Sequence, residues 1–155
     1  MSGVNIDSWL LDLEFTPRPP ELTMDKRLKL YTNKKELIDA ILIVEDKIPV
    51  SVQLVSLEFT SGKITGEKLF YCMQTLHQLL HSHGLKLLCN CFRYDVYPSG
   101  MSLDMGHGIK AYKMEMGRSA RQLVDIFDPT NDPDAIVTPE EQKAFRSEWV
   151  KSLMD

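Results

Sequence analysis

Hydrophobic residues recur at three- and four-residue spacing through Leu69, Met73, Leu76 and Leu80, and this period predicts a helix from about Gly66 to Ser82, stopped by Gly84. A two-residue period dominates elsewhere. Val50, Val52 and Leu54 alternate in one phase and Val55, Leu57 and Phe59 in the other, which predicts a strand buried on both faces or interrupted by a bulge, closed by Thr60, Ser61 and Gly62. Leu85 to Phe92 and Gly108 to Met116 read as further strands, and Leu123 to Phe127 as a short strand or turn. The run ELIDAILIVED is read as a helix, because Asn33 with Glu36 resembles a capped helix start; its Ile41, Leu42, Ile43 and Val44 also suit a strand.

Punctuation divides these elements. Tyr94 to Gly106 reads as a long loop marked by Pro98, Gly100 and Gly106, and Asp128 to Asp134 is dense in turn residues. Thr138, Pro139 and Glu141 supply the cap, first-turn proline and third-position acid of a C-terminal helix. On it Phe145, Trp149 and Leu153 form a stripe expected to close the core. Strands interleaved with helices indicate a single small α+β or α/β domain over residues 26–155, a central sheet covered by helices. Residues 1–25 read as an acidic arm, with Arg18 alone against five acids and breaks at Pro17, Pro19 and Pro20. Its Trp9, Leu10, Leu11, Leu13 and Phe15 are too apolar for a solvated tail and are expected to lie across the main body or a partner.

Composition narrows the function classes. The chain has 155 residues, 43% hydrophobic and 26% charged, with a net charge of −4 and a pI near 5.6, a balance that argues against general nucleic-acid binding. No apolar run reaches the roughly 18–20 residues that span a bilayer, and the N-terminal sequence carries Asp7, Asp12 and Glu14 where a secretory signal needs an apolar stretch. Cys72, Cys89 and Cys91 are odd in number and suit a reducing compartment, so the expected location is cytoplasmic. Charge also segregates: residues 125–155 hold Lys143, Arg146 and Lys151 against eight acids, while the middle of the chain carries the excess of cations.

Candidate chemistry concentrates between Arg93 and Gly108, RYDVYPSGMSLDMGHG. A charge pair (Arg93, Asp95), an amphipathic aromatic (Tyr97), a hydroxyl (Ser99), a second carboxylate (Asp104) and an imidazole (His107) sit among glycines that permit unusual backbone angles. Gly106-His107-Gly108 lacks the Lys-Ser/Thr of a P-loop. Two loop carboxylates nine residues apart serve as turn formers more often than as an acid/base pair. His77 and His81, spaced i, i+4 with Cys72 and His83 nearby, suggest zinc in spacing only; the helix phase places both histidines on the polar flank and Cys72 toward the core. Cys89 and Cys91 are read as buried structural thiols on one strand face.

The strings CNCFRYDVYPSGMSLDMGHGIKAYKMEMG, RQLVDIFDP and IVTPEEQKAFRSEWVKSL resemble a group of small bacterial cytoplasmic proteins, some of them similar to immunity proteins encoded beside polymorphic toxins, including Rhs-type effectors of contact-dependent or type VI secretion. The resemblance covers residues 66–154. It implies a stand-alone antidote that binds the toxin domain of its own producing cell by complementarity, with no cofactor, no catalytic residue, no nucleic acid and no membrane involved. The contact residues expected on that reading are Arg93, Asp95, Tyr97, Met101, Asp104 and His107, with Glu140, Glu141 and Glu148 of the C-terminal helix as the rival surface. The alternatives are a small enzyme using the 93–108 loop on a polar or phosphorylated substrate, and a secretion-system adaptor or chaperone. Converging Asp95, Asp104 and His107 in a pocket would favour the enzyme, an exposed or protruding surface the inhibitor.

Overall fold

The structure, a computed structural model, describes residues 23–154. The arm expected over residues 1–25 lies outside them, apart from Thr23, Met24 and Asp25, which open the first strand. Strands β1 (Thr23–Tyr31), β2 (Leu37–Glu45), β3 (Val50–Ser56), β4 (Ile64–Gly66) and β5 (Lys86–Leu87) form an antiparallel sheet of order β4-β3-β2-β1-β5. Strands β6 (Val96–Tyr97), β7 (Lys110–Glu115) and β8 (Arg118–Asp125) form a second antiparallel sheet in that order. Helix α1 (Leu69–Ser82) covers the first sheet, the short α2 (Gly100–Gly106) packs on β7, and α3 (Pro139–Ser152) closes the chain against α1, β6 and β7. The architecture is α+β.

The segment ELIDAILIVED is a strand. Ala40, Leu42 and Val44 point into the main core and Ile41 and Ile43 to the opposite face, so the two-residue period and the β-branched side chains prevail over helix-like capping. Asn33 caps nothing. The residues around it make the β1–β2 turn, where the Thr32 hydroxyl accepts the backbone N–H groups of Lys34 and Glu36 and Lys35 takes a positive φ of 63°. β3 is buried on both faces as expected, but it ends at Ser56: Leu57 is exposed and Phe59 lies beyond the strand, in a turn where the Ser56 hydroxyl accepts the Phe59 N–H, so the strand closes before Thr60, Ser61 and Gly62.

Helix α1 buries Leu69, Phe70, Cys72, Met73, Leu76, His77 and Leu80. It begins three residues later than predicted, because Ile64–Gly66 are taken by β4. It ends as predicted: Gly84 has φ 70°, and Leu85 N–H returns to the Leu80 carbonyl at 2.9 Å. His77 corrects the expected polar flank. Its ring is buried and stacks on Phe92, centroids 4.0 Å apart, because the 3-10 turn Asn90–Phe92 folds over that side of the helix.

That turn also shortens the strand expected over Leu85 to Phe92 to two residues. Asn90 N–H bonds the Asp128 carbonyl and Cys91 N–H the Ile126 carbonyl, drawing the chain inward, so Cys89 and Cys91 are buried without sharing a strand face. The Tyr94–Gly106 loop contains β6 and α2, and β8 begins five residues before the predicted Leu123. Helix α3 has the predicted capping box but a different seat. It buries Pro139 and Gln142, while Phe145 and Trp149 are half-buried and Leu153 is exposed. Its attachment is largely polar: Gln142 Nε2 donates to the Cys91 and Arg93 carbonyls at 2.7 and 2.8 Å, Trp149 Nε1 to the Arg118 carbonyl at 2.9 Å, and Ser152 Oγ accepts the Gly117 N–H at 2.9 Å.

Candidate functional site

The segment from Arg93 to Gly108 crosses from the core to the surface, and its side chains part along the way. Arg93 and Asp95 lie at the inner end. Nε and Nη2 of the guanidinium donate to the two carboxylate oxygens at 2.9 and 3.1 Å, and Nη1 donates to the Thr130 hydroxyl at 2.9 Å. Asp95 is buried, and the hydrogen bonds that its carboxylate accepts from the guanidinium raise the Arg93 pKa above the ordinary value. The backbone of the pair is held as well: Tyr94 N–H bonds the Ala135 carbonyl and Met114 N–H the Asp95 carbonyl at 2.7 Å. This pair ties the second sheet to the turn before α3.

Tyr97 comes next. It is half-buried, with its ring edge-on to Phe70 at 5.2 Å and the Arg146 guanidinium 5.1 Å from its centroid; burial, the larger influence, raises its phenol pKa while Arg146 opposes it. With Tyr112, Trp149 and Arg146 it lines a shallow cleft between β7 and α3.

Beyond Ser99 the chain turns outward into α2. The Ser99 hydroxyl accepts the Ser102 N–H at 3.0 Å and caps the helix, a signal the sequence offers one residue after Pro98. The helix is pinned from beneath: Lys68 Nζ donates to the Leu103 carbonyl at 2.7 Å, Gly108 N–H to the Ser102 carbonyl at 3.0 Å, and the Ser102 hydroxyl to the Lys110 carbonyl. It pins α1 in turn, because the His107 carbonyl accepts the Phe70 N–H at 3.0 Å at an end where Lys68 supplies no side-chain cap. Gly108 makes this closeness possible. At φ 80°, a Cβ there would come 2.7 Å from Phe70 Cβ and 2.9 Å from Leu103 Cδ2.

The outer face of α2 is left with Met101, Asp104 and Met105, an i, i+3, i+4 set. Met101 is 73% and Met105 83% exposed. Asp104 Oδ1 lies 3.7 Å from Lys68 Nζ at the surface. His107 sits in the left-handed conformation at the end of the helix, its Nε2 3.7 Å from Asp46.

Asp95, Asp104 and His107 therefore do not converge, since each is engaged by a different partner: Arg93, Lys68 and Asp46. On the rival surface Glu141 reaches back to the Thr138 N–H to complete the capping box, Glu140 accepts from Gln78 Nε2 at 3.1 Å and is held below the usual glutamate pKa by its backbone contact and that bond, and Glu148 pairs with Lys151. Among the described residues no three of His, Cys, Asp and Glu are grouped as metal ligands. Comparison with family models and with curated proteins returns no match for this chain. The site must be read from its own geometry.

Met105, Lys68, Tyr112 and Arg146 escape the sequence reading of the site. Met105 carried a signal, one helical turn after Met101, but that signal has meaning only if 100–106 is helical. No described helix is long and apolar enough to cross a membrane.

Proposed function

We propose that this chain is a cytoplasmic immunity protein that neutralises a cognate bacterial toxin by direct binding and occlusion of its active site. The observation that supports this best is the outer face of α2, two exposed methionines flanking a carboxylate on a helix pinned by four main-chain acceptors. Exposed methionine adapts to the shape of a cleft and buries apolar area on contact. A surface already rigid in the free protein loses little entropy on docking, which favours affinity without any chemistry. The divergence of Asp95, Asp104 and His107 favours this reading over an enzyme built on the same loop.

Of the residues expected to touch the toxin, Met101 and Asp104 are the direct contacts on this reading, and Tyr97 and His107 border them. Arg93 and Asp95 act by holding the frame. The acids of α3 serve encounter with a basic toxin rather than the docked interface. The test is affinity capture with the tagged full chain from its own cell, identification of the partner and an inhibition titration. A stoichiometric complex in which a toxin domain loses activity supports the proposal; a partner that keeps full activity when bound overturns it.

A further inference from the structure

Helix α3 packs on the face of the three-stranded sheet that carries Tyr97, Tyr112 and Met114, and it leaves a hollow of about 280 Å³ beside them. Strand register shapes the hollow. Tyr97 and Tyr112 pair directly opposite each other across β6 and β7, so their side chains share one face. Lys113 pairs with Gln122 but Glu115 with Arg118, so positions 119–121 of β8 all stand against Met114, and this bulge brings the methyl group of Ala120 to the edge of the hollow. Trp149 and Arg146, one helical turn apart on α3, supply the opposite wall.

Two of the three rings are held in place. Trp149 Nε1 donates to the Arg118 carbonyl at 2.9 Å, and the Tyr97 ring packs edge-on against Phe70 with centroids 5.2 Å apart. Arg146 is different. Its exposed guanidinium lies 5.1 Å from the Tyr97 centroid, and among the described residues it has no ion pair and no hydrogen bond. Its neighbours three and four positions away on α3 are Gln142, Lys143, Trp149 and Val150, none of them a carboxylate. A cation without a counter-charge therefore stands at the mouth of an aromatic hollow. Ring walls favour a flat π system, and an uncompensated guanidinium favours a carboxylate, which it grips through two parallel N–H bonds. The volume lies just below the roughly 300 Å³ at which sites for drug-sized ligands begin, which suits a ligand of about one or two rings.

We propose that the cleft walled by Tyr97, Tyr112 and Trp149 binds a small planar aromatic carboxylate, its ring against the aromatic walls and its carboxylate on the Arg146 guanidinium. Because two walls are fixed before the ligand arrives, binding orders little more than the Arg146 side chain. The site does not rest on the proposed toxin binding.

The experiment titrates the full chain with naphthoate at constant ionic strength and follows backbone amide, indole N–H and methyl resonances. Expected are saturable shifts centred on Tyr97, Tyr112, Ala120 and the Trp149 indole, with neutral naphthamide and non-aromatic cyclohexanecarboxylate each weaker by about tenfold or more. Arg146→Gln, at an exposed position, is expected to keep the amide spectrum and to bind naphthoate no better than naphthamide. Absence of saturable shifts, or shifts centred on another part of the molecule, overturns the site. Naphthamide binding the wild-type chain as tightly as naphthoate overturns the role of the guanidinium without recourse to any variant, and cyclohexanecarboxylate binding equally well overturns the role of the rings.

Discussion

The Arg93 guanidinium clasps the Asp95 carboxylate through two hydrogen bonds of 2.9 and 3.1 Å in the interior of the protein, and its remaining arm reaches Thr130. Two segments far apart in sequence, 93–95 and the turn at Thr130, are joined at one point. A buried pair of this kind contributes less by its attraction than it costs to break, because the survivor is left charged and unsatisfied. Asp95→Ala is therefore expected to lower stability by about 3 to 5 kcal/mol, measured by urea unfolding, whereas joint replacement of Arg93 and Asp95 by apolar residues costs far less. Equal losses in the single and double variants would contradict a structural role for the pair.

Sequence spacing identified this pair but not its task, since adjacency at i, i+2 says nothing of burial. Where a local rule had no competitor it was legible: the Thr138–Glu141 capping box and the Leu69 to Leu80 period stand as read. Where two rules competed, tertiary context decided. The β2 segment carried both a helix-start pattern and strand-forming residues, and its place between β1 and β3 selects the strand. Trp149 had the spacing of a core residue, yet α3 attaches by hydrogen bonds from Gln142 and Trp149 to carbonyls, partners with no sequence signature. Within the candidate site, helix α2 was hidden because five of its anchoring contacts come from residues outside it or from the backbone.

His77 predicts an acid transition. Burial, the dominant influence, lowers its pKa from 6.5 to about 4; contact with the Val137 backbone opposes this in part, His81 adds to it and Glu140 opposes it. Its Nδ1 has no hydrogen-bond partner. The unfolded chain thus binds a proton that the folded chain rejects, so stability is full above pH 6.5 and falls as pH drops toward 4. The loss approaches about 3 kcal/mol, at about 1.4 kcal/mol per unit. His77→Phe, which keeps the stack on Phe92, should flatten unfolding free energy between pH 6.5 and 4; an unchanged slope would assign the transition to other groups.

The thiols should be silent in the folded protein. Burial pushes Cys89 up to about 12 and Cys91 well above its ordinary value, and Cys72 is raised as well. Thiolate is the reactive form, so alkylation of Cys89 and Cys91 near neutral pH should proceed only through unfolding and accelerate along the urea transition. Fast labelling of either in native buffer would refute their placement.

Gly108→Ala should loosen the base of α2. The added methyl meets Phe70 and Leu103 in a left-handed backbone, and about 1 to 3 kcal/mol of stability is expected to be lost. Hydrogen exchange of the Phe70 and Gly108 amides reports the damage directly: both should lose protection, and retained protection would mean the contact is not limiting.

The central claim is that the exposed methionine face of α2 docks the protein partner. Its most direct test is an inhibition titration of the captured toxin domain with the wild-type chain and with Met101→Ala/Met105→Ala, alongside thermal unfolding of both proteins. Because both side chains project into solvent, the account predicts an unchanged unfolding midpoint and an affinity lower by about 10- to 100-fold, the loss of two interface anchors at about 0.7 to 1.4 kcal/mol each. Undiminished inhibition by the double variant at an unchanged midpoint would contradict it.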